Sequence, residues 1–422
     1  MSQYDIAIIG GGPAGLAAAL EVHRNGHRPL IIEREEKAGG ILKQCIHEGF
    51  GLHRFKERLT GPEYTERFLK EVLEARIDIF TSTFVSSIEK QEDDFVLKLV
   101  NQEEGVFYHE VRALILANGC RERTSKQVFI HGNRPAGVYT AGTAQYYVNI
   151  LGCLPCKKCV ILGSGDIGLI MARRITLEGS EVVGVYEIKD SPSGLTRNVV
   201  QCLDDFQIPL HLSKTILSIH GEDRVNGVTI CDVDENLKPL LDTKKYVPCD
   251  GVILSVGLIP ENELATSLNI LLDPHTKGPT VDQNLMTNQD GIFSCGNALH
   301  VNDLVDYVSE SAETAAKSAC DYVNNSLDHV RNLLPVRFRD EEFLYIVPQS
   351  VDRSSMDEAI FYFRSRIQRH QTKLIVRLGE EIILIKKYKM LKPPEMERIQ
   401  LKIQLERQDT RELSFELVGD DE

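Results

Sequence analysis

The sequence predicts an α/β fold of two similar βαβ domains, the second inserted in the first, followed by a small C-terminal β-rich domain. Three observations carry this reading. A glycine-rich turn at 10–15 lies between an apolar run (5–9) and a segment of helical spacing (13–23). A second turn of the same spacing, at 163–168, follows about 150 residues later between another apolar run and another helical segment. Beyond Pro335 the helical pattern gives way to short alternating runs. The expected divisions are 1–118 and 261–330 for the first domain, 119–260 for the inserted one, and 335–418 for the β-rich appendix.

The elements follow in order. Residues 5–9 and 29–33 read as strands flanking the helix 13–23. Residues 64–75 have helical spacing, with Phe68, Val72 and Leu73 on one face. Residues 77–99 read as strands, and 113–118 as a strand buried on both faces. The second βαβ unit runs from Val160 to Glu187. Residues 251–256 form another buried strand, followed by a turn at 257–260. A strand at 291–296 leads into a helix that continues past Val305 to about Val323. In the appendix, 344–347, 374–378 and 382–385 read as strands, and Gly379 opens the tight turn between the last two. Residues 364–392 are rich in Arg and Lys; they read as a solvated strand face, with a docking surface as the alternative. The acidic tail after 418 reads as disordered.

A chain of 422 residues accommodates two to four domains. Its formal net charge of -14 excludes a nucleic-acid partner, because phosphate binding needs an excess of Lys and Arg. No apolar stretch approaches the roughly 20 residues that cross a bilayer. The N-terminus enters a strand with no basic region, apolar core or cleavage signal. Ten scattered cysteines fit a reducing compartment better than a disulfide scaffold. The expected location is therefore the cytoplasm.

The chemistry concentrates in the two turns. In the first, Gly10 permits the tight turn and Gly12 lets the backbone approach a pyrophosphate. Gly15 lets helix and strand pack closely, with Pro13 and Ala14 opening the helix. The helix N-terminus offers free N–H groups and a partial positive charge. Glu33, at the end of the next strand, is placed to accept hydrogen bonds from a ribose. Gly163, Gly165, Asp166, Ile167 and Gly168 repeat the pattern, with Glu187 in the place of Glu33. A carboxylate there suits the free 2′-hydroxyl of NAD and repels the 2′-phosphate of NADP. Lys189 is the one nearby cation that favours a phosphate. Both turns are Rossmann-like dinucleotide sites.

With these motifs in view, the chain resembles the two-dinucleotide-domain flavoproteins, the group that includes thioredoxin reductase. Residues 114–119 (Leu-Ile-Leu-Ala-Asn-Gly) resemble the strand and turn that close the first FAD segment, and 287–298 the second FAD motif. That motif ends Gly-Asp in most members, whereas here it ends Gly296-Asn297. The resemblance implies FAD in the first domain, held by Gly10, Gly12, Gly15, Glu33, Gly40, Ala117, Gly119, Gly296, Asn297 and the helix start near Val305. It implies NAD(H) in the second, beside Gly257, reached after a rotation of that domain. A narrower likeness rests on 39–53, 119–123, 135–145, 295–300 and the pair Val347-Pro348. These are similar to a subfamily associated with FAD-dependent glycerol-3-phosphate dehydrogenase, and to FAD subunits of dye-linked amino-acid and opine dehydrogenases. One departure matters. Thioredoxin reductases carry Cys-x-x-Cys before the second glycine turn, and the matching stretch here, 139–143, has no thiol. A dithiol relay is not expected.

Cys153, Cys156 and Cys159 have the spacing of half a metal site, but no fourth ligand lies nearby and no metal is expected. Cys202, Cys231, Cys249, Cys295 and Cys320 read as small core residues. Cys45 and His47 follow Gly39-Gly40, the segment that runs beside the flavin in related proteins. They are the candidate catalytic pair, Cys45 as a thiolate of lowered pKa and His47 as a proton donor. Packing against the ring is the alternative, and His53 and His300 are further candidates. The expected activity is hydride transfer between NAD(H) and FAD, then electron passage to or from a small-molecule or protein partner. The alternatives are an electron-transfer subunit docked to a dehydrogenase and a non-catalytic dinucleotide sensor.

Overall fold

The computed structural model describes residues 3–92, 94–324, 331–353, 358–402 and 411–419. The chain divides into two compact units, 1–120 with 260–422, and 121–259.

The first unit is built on a five-stranded parallel sheet. Its order is Ile292–Ser294, Ala113–Leu116, Ile6–Ile9, Pro29–Ile32, Asp78–Phe80. The first four of these strands are buried at every residue, which explains their apolar runs. Helices Pro13–Arg24 and Val305–Val323 share one core with this sheet. Both present small residues, Ala17, Ala18 and Ala19 on one and Ala312, Ala315, Ala316 and Ala319 on the other.

Helix Gly61–Glu74 begins in a capping box formed by Thr60 and Glu63. Its buried face is Tyr64, Thr65, Phe68 and Val72. The expectation for Leu73 is corrected: it is 68% exposed, because the buried stripe steps by four from Tyr64 through Phe68 to Val72 and Leu73 lies beside it. A three-stranded antiparallel ribbon covers the other side of the sheet: Phe84–Gln91, Asp94–Asn101 and Gly105–Val111. Its middle strand buries Phe95, Leu97 and Leu99. The third strand was not expected.

The second unit repeats the design. Its parallel sheet has the order Val138–Thr140, Gly251–Leu254, Lys158–Leu162, Glu181–Tyr186, Leu210–His211. Helices Ala141–Asn149 and Asp166–Leu177 pack on it. The expected turn at 257–260 contains a short strand, Leu258–Pro260.

The C-terminal region is β-rich and has its own core of Phe343, Phe361, Phe363, Leu374, Val376 and Phe415. One sheet runs Ser350–Asp352, Leu333–Arg337, Leu413–Gly419, Arg369–Leu378, Glu381–Leu391; the other runs Phe343–Val347, Ala359–Ser365, Glu397–Leu401. By contacts it belongs to the first unit rather than standing apart as an appendix. Arg364 corrects the reading of 364–392 as a solvated face, since its side chain is only 13% exposed. The tail expected to be disordered falls, at 420–422, outside the described residues. Among the described residues no helix is long and apolar enough to cross a membrane.

Candidate functional site

The first glycine turn is shaped by close approach. A Cβ on Gly10 would lie 2.5 Å from the Ala117 carbonyl oxygen, and one on Gly15 only 1.8 Å from the Gly10 oxygen. Those two glycines therefore close the turn onto the strand end. Gly12 differs: a Cβ there would meet nothing nearer than Gly40 Cα at 3.7 Å. Gly40 faces it with φ +57°, and a Cβ on Gly40 would lie 2.9 Å from Gly12 Cα. The two bare backbones thus lie in contact at the N-terminus of helix Pro13–Arg24, with Pro13 and Ala14 in its first turn, and neither puts a side chain over the helix end. A helix N-terminus left bare in this way suits an anionic pyrophosphate.

Glu33 is buried, and its carboxylate accepts the N–H of Gly11 at 2.7 Å and of Glu35 at 2.8 Å. Two of its roughly four acceptor positions remain for ribose hydroxyls. Across the turn, Gly119 has φ +72° and open space before it. Asn118 donates its amide to the Glu261 carbonyl, leaving Oδ1 buried without a partner. Buried acceptors without partners are uncommon and suit a ligand that brings donors.

Asn297 follows Gly296 (φ +59°), whose N–H donates to Ser311 Oγ at 3.0 Å. Asn297 Oδ1 accepts the Asn302 N–H at 3.0 Å and its amide at 3.3 Å, while its own amide points to Cys120 Sγ at 3.6 Å. Its oxygen is committed within the chain, so Asn297 offers a ligand a donor rather than an acceptor. Val305 begins helix Val305–Val323. These residues fit FAD: a bare helix N-terminus for the pyrophosphate, a ribose acceptor and polar groups for the ribitol all lie in one unit.

Cys45 corrects an expectation. It ends the turn Gly40–Gln44, is half-buried, and its thiol donates to the Ile41 carbonyl at 3.4 Å. Burial pushes the thiol up to about 12, so the lowered pKa expected for a thiolate is not found. We predict that no long-wavelength band titrates between pH 6 and about 9 in the flavin-loaded protein, and that Cys45→Ser leaves its absorption spectrum unchanged. A band that rises below pH 9 and is lost in the variant contradicts this. The His47 ring packs 5.0 Å from that of Phe50, and His53 lies 5.7 Å from Tyr307.

The second turn repeats the first with tighter internal bonding. A Cβ on Gly163 would sit 2.1 Å from the Ser255 oxygen, and one on Gly168 2.6 Å from Ser255 Cβ. Ser255 thus plays the part of Ala117. Gly165 faces Ser255 Oγ at 3.2 Å from its own would-be Cβ, and Gly257 has φ +103°. Glu187 is buried and accepts the Ser164 N–H at 2.9 Å, the Ser164 hydroxyl and the Lys189 N–H at 3.1 Å. Asp166, next to Ile167 in the first turn of its helix, accepts from Leu195 N–H at 2.9 Å and from the Asn198 amide at 2.6 Å. Ser164 Oγ also accepts the Ser193 N–H at 2.9 Å. Sequence reading missed this strap of 193–198 over the glycine turn. The Gly194 that it needs, whose Cβ would meet Ser164 O at 2.8 Å, was the available signal.

Within 139–143, the stretch read as the counterpart of the thioredoxin-reductase dithiol, Thr140 and Thr143 place their hydroxyls 2.9 Å apart at the start of a helix. Cys153 is exposed while Cys156 and Cys159 are buried. Among the described residues no group of three or more His, Cys, Asp or Glu is arranged to hold a metal. Cys202, Cys231, Cys249, Cys295 and Cys320 are buried core residues.

The family model described as pyridine nucleotide-disulphide oxidoreductase matches residues 4–319. A thioredoxin reductase from Mycolicibacterium smegmatis is 26% identical over 321 residues, 75% of this chain and 93% of that protein. An opine oxidase subunit from Agrobacterium tumefaciens is 23% identical over 319 residues, 70% of this chain, and the match spans 61% of that relative's length. The solved structure of Lactococcus lactis thioredoxin reductase has a TM-score of 0.65 at 22% identity, covering 76% of this chain and all of that one (100%). It shares the fold.

Proposed function

The chain belongs to the pyridine nucleotide-disulphide oxidoreductase family, flavin-dependent oxidoreductases that work with a pyridine nucleotide, and on that premise we propose that it passes hydride from NADH to FAD and the electrons onward to a second acceptor. The observation that carries this is the doubled site. Each unit has a glycine turn closed on a strand end, and each has a buried carboxylate bonded to the backbone of that turn. When bound, FAD supplies the hydride-accepting ring. The chain's residues bind and orient. Gly12 and Gly40 leave one helix N-terminus bare for a pyrophosphate, Gly165 the other, and Glu33 and Glu187 receive ribose hydroxyls. His47 is a candidate proton donor beside the ring.

A dithiol relay is not part of this proposal, because Thr140 and Thr143 cannot store two electrons as a disulfide. The acceptor is a small molecule or another protein. The likeness to a protein named as part of an oxidase favours a second form of this reading: the chain serves as the electron-transfer subunit of an amino-acid or glycerol-3-phosphate dehydrogenase.

The test is direct. The purified protein is expected to be yellow, to release FAD on heating and to be bleached by NADH under anaerobic conditions. It is then reoxidised by artificial dyes but not by a model disulfide. Release of FMN, or a flavin that NADH leaves oxidised, overturns the proposal. Rapid reduction of the disulfide overturns its second half.

A further inference from the structure

The family match stops at residue 319, so the β-rich region from Leu333 onward lies outside the shared architecture. Its arginines nevertheless reach back to the segment that the flavin reading places at the ring. Arg364 ion-pairs with Asp303, donates to Tyr345 Oη at 2.9 Å and bonds the Pro394 carbonyl. The other Asp303 oxygen accepts the Met396 N–H at 2.6 Å. Arg398 grips both Glu310 oxygens, at 2.8 and 2.7 Å, and Tyr362 Oη donates to the same carboxylate at 2.7 Å.

Asp303 and Glu310 bracket the first turn of helix Val305–Val323. Between these two anchors the His300 ring lies 5.8 Å from Tyr345 and 5.3 Å from Tyr362, with 1% exposure. Burial, with the Arg364 charge beside it, pushes His300 down to about 3, so it packs as a neutral ring. On the opposite side, the Asp306 carboxylate accepts the N–H groups of Gly51 at 3.3 Å and Arg54 at 2.9 Å. That ties the same turn to the end of the segment that carries Cys45 and His47.

We propose that the β-rich region is a clamp that positions the loop 296–304 and the N-terminal turn of helix Val305–Val323 against bound flavin, with Arg364 and Arg398 as positioning residues. The proposal rests on the FAD reading above. The clamp acts in two ways. Charge-assisted and partly bidentate bonds fix the turn's place. The two guanidinium groups also cancel carboxylates that would otherwise oppose the positive end of the helix dipole. Uncancelled negative charge near the ring disfavours adding electrons, so losing either arginine moves the flavin midpoint potential to more negative values.

The experiment compares Arg364→Gln, Arg398→Gln, Arg398→Lys and the double variant Glu310→Gln/Arg398→Gln. Flavin-stripped protein is titrated with FAD by fluorescence, and the potential of the loaded protein is measured by dye equilibration. Each single Gln variant should bind FAD roughly tenfold more weakly, as expected for one lost charged bond, and show a more negative potential. Arg398→Lys should lie between, and the double variant should return toward the wild-type potential. A purely structural role would lower the melting temperature and leave the potential in place. Folded Gln variants with wild-type affinity and potential overturn the clamp. If Arg364→Gln does not fold, Arg398→Gln carries the test, since its side chain is more exposed (24%). If the wild type takes up no FAD, the flavin reading fails instead. The clamp is then judged by amide exchange over 297–310, which should quicken in both Gln variants; unchanged exchange overturns it.

Discussion

Gly12→Glu is expected to give a folded protein that binds no FAD, whereas Gly15→Val is expected to lose both FAD and stability. The two glycines stand three residues apart but meet different surroundings. Gly12 has extended backbone (φ -78°, ψ -172°) that any residue adopts, and its would-be Cβ makes only an ordinary contact, 3.7 Å from Gly40 Cα. Substitution there leaves the fold intact and places a carboxylate over the helix N-terminus proposed for the pyrophosphate. Like charges brought together cost several kcal/mol, so affinity should fall by about a thousandfold or more. At Gly15 the Cβ would lie 1.8 Å from a backbone oxygen, which no side-chain adjustment relieves. Helix Pro13–Arg24 must then move off the sheet, at a cost of about 3 kcal/mol or more. Calorimetry with flavin titration separates the cases. A Gly12→Glu protein that stays yellow would remove the pyrophosphate from this helix end, and with it the assignment of the first turn.

Those two turns were legible in the sequence because everything they need is local. Glycines at positions one, three and six of a turn, an apolar run before it and a carboxylate at the next strand end all lie within about 25 residues. What stayed hidden depends on partners far along the chain. Asp303 and Arg364 are 61 residues apart, Glu310 and Arg398 are 88 apart, and no periodicity connects them. The basic composition of 364–392 therefore read as a surface, although one of its arginines, only 13% exposed, ion-pairs with Asp303 before helix Val305–Val323. Cys45 failed for a related reason. Its position after Gly39-Gly40 was readable, but a thiol turned back to the Ile41 carbonyl is a matter of one rotamer, which neighbouring residue types do not determine. Leu73 failed by one step of helical phase.

Glu187 sets the second large effect. Wild type should use NADH over NADPH by roughly tenfold to a hundredfold in reduction efficiency, the worth of one or two hydrogen bonds to a charged acceptor. The structure gives this a definite form. Three donors, Ser164 N–H, Ser164 Oγ and Lys189 N–H, already occupy the carboxylate, so about one acceptor position remains for a ribose hydroxyl. A phosphate ester on that hydroxyl removes the donor and brings two negative charges toward a buried anion. Lys189 acts the other way, and its ammonium is the nearest compensation that the strand end provides. Glu187→Ala should therefore lower efficiency with NADH, because Ser164 and Lys189 lose their acceptor and the turn loosens. It should barely change or improve efficiency with NADPH, and Lys189→Ala in the same background should abolish that gain. Stopped-flow reduction at several concentrations of each nucleotide gives the four ratios. Wild type preferring NADPH, or Glu187→Ala lowering efficiency equally with both nucleotides, would show that the carboxylate only braces the glycine turn and that coenzyme choice lies elsewhere.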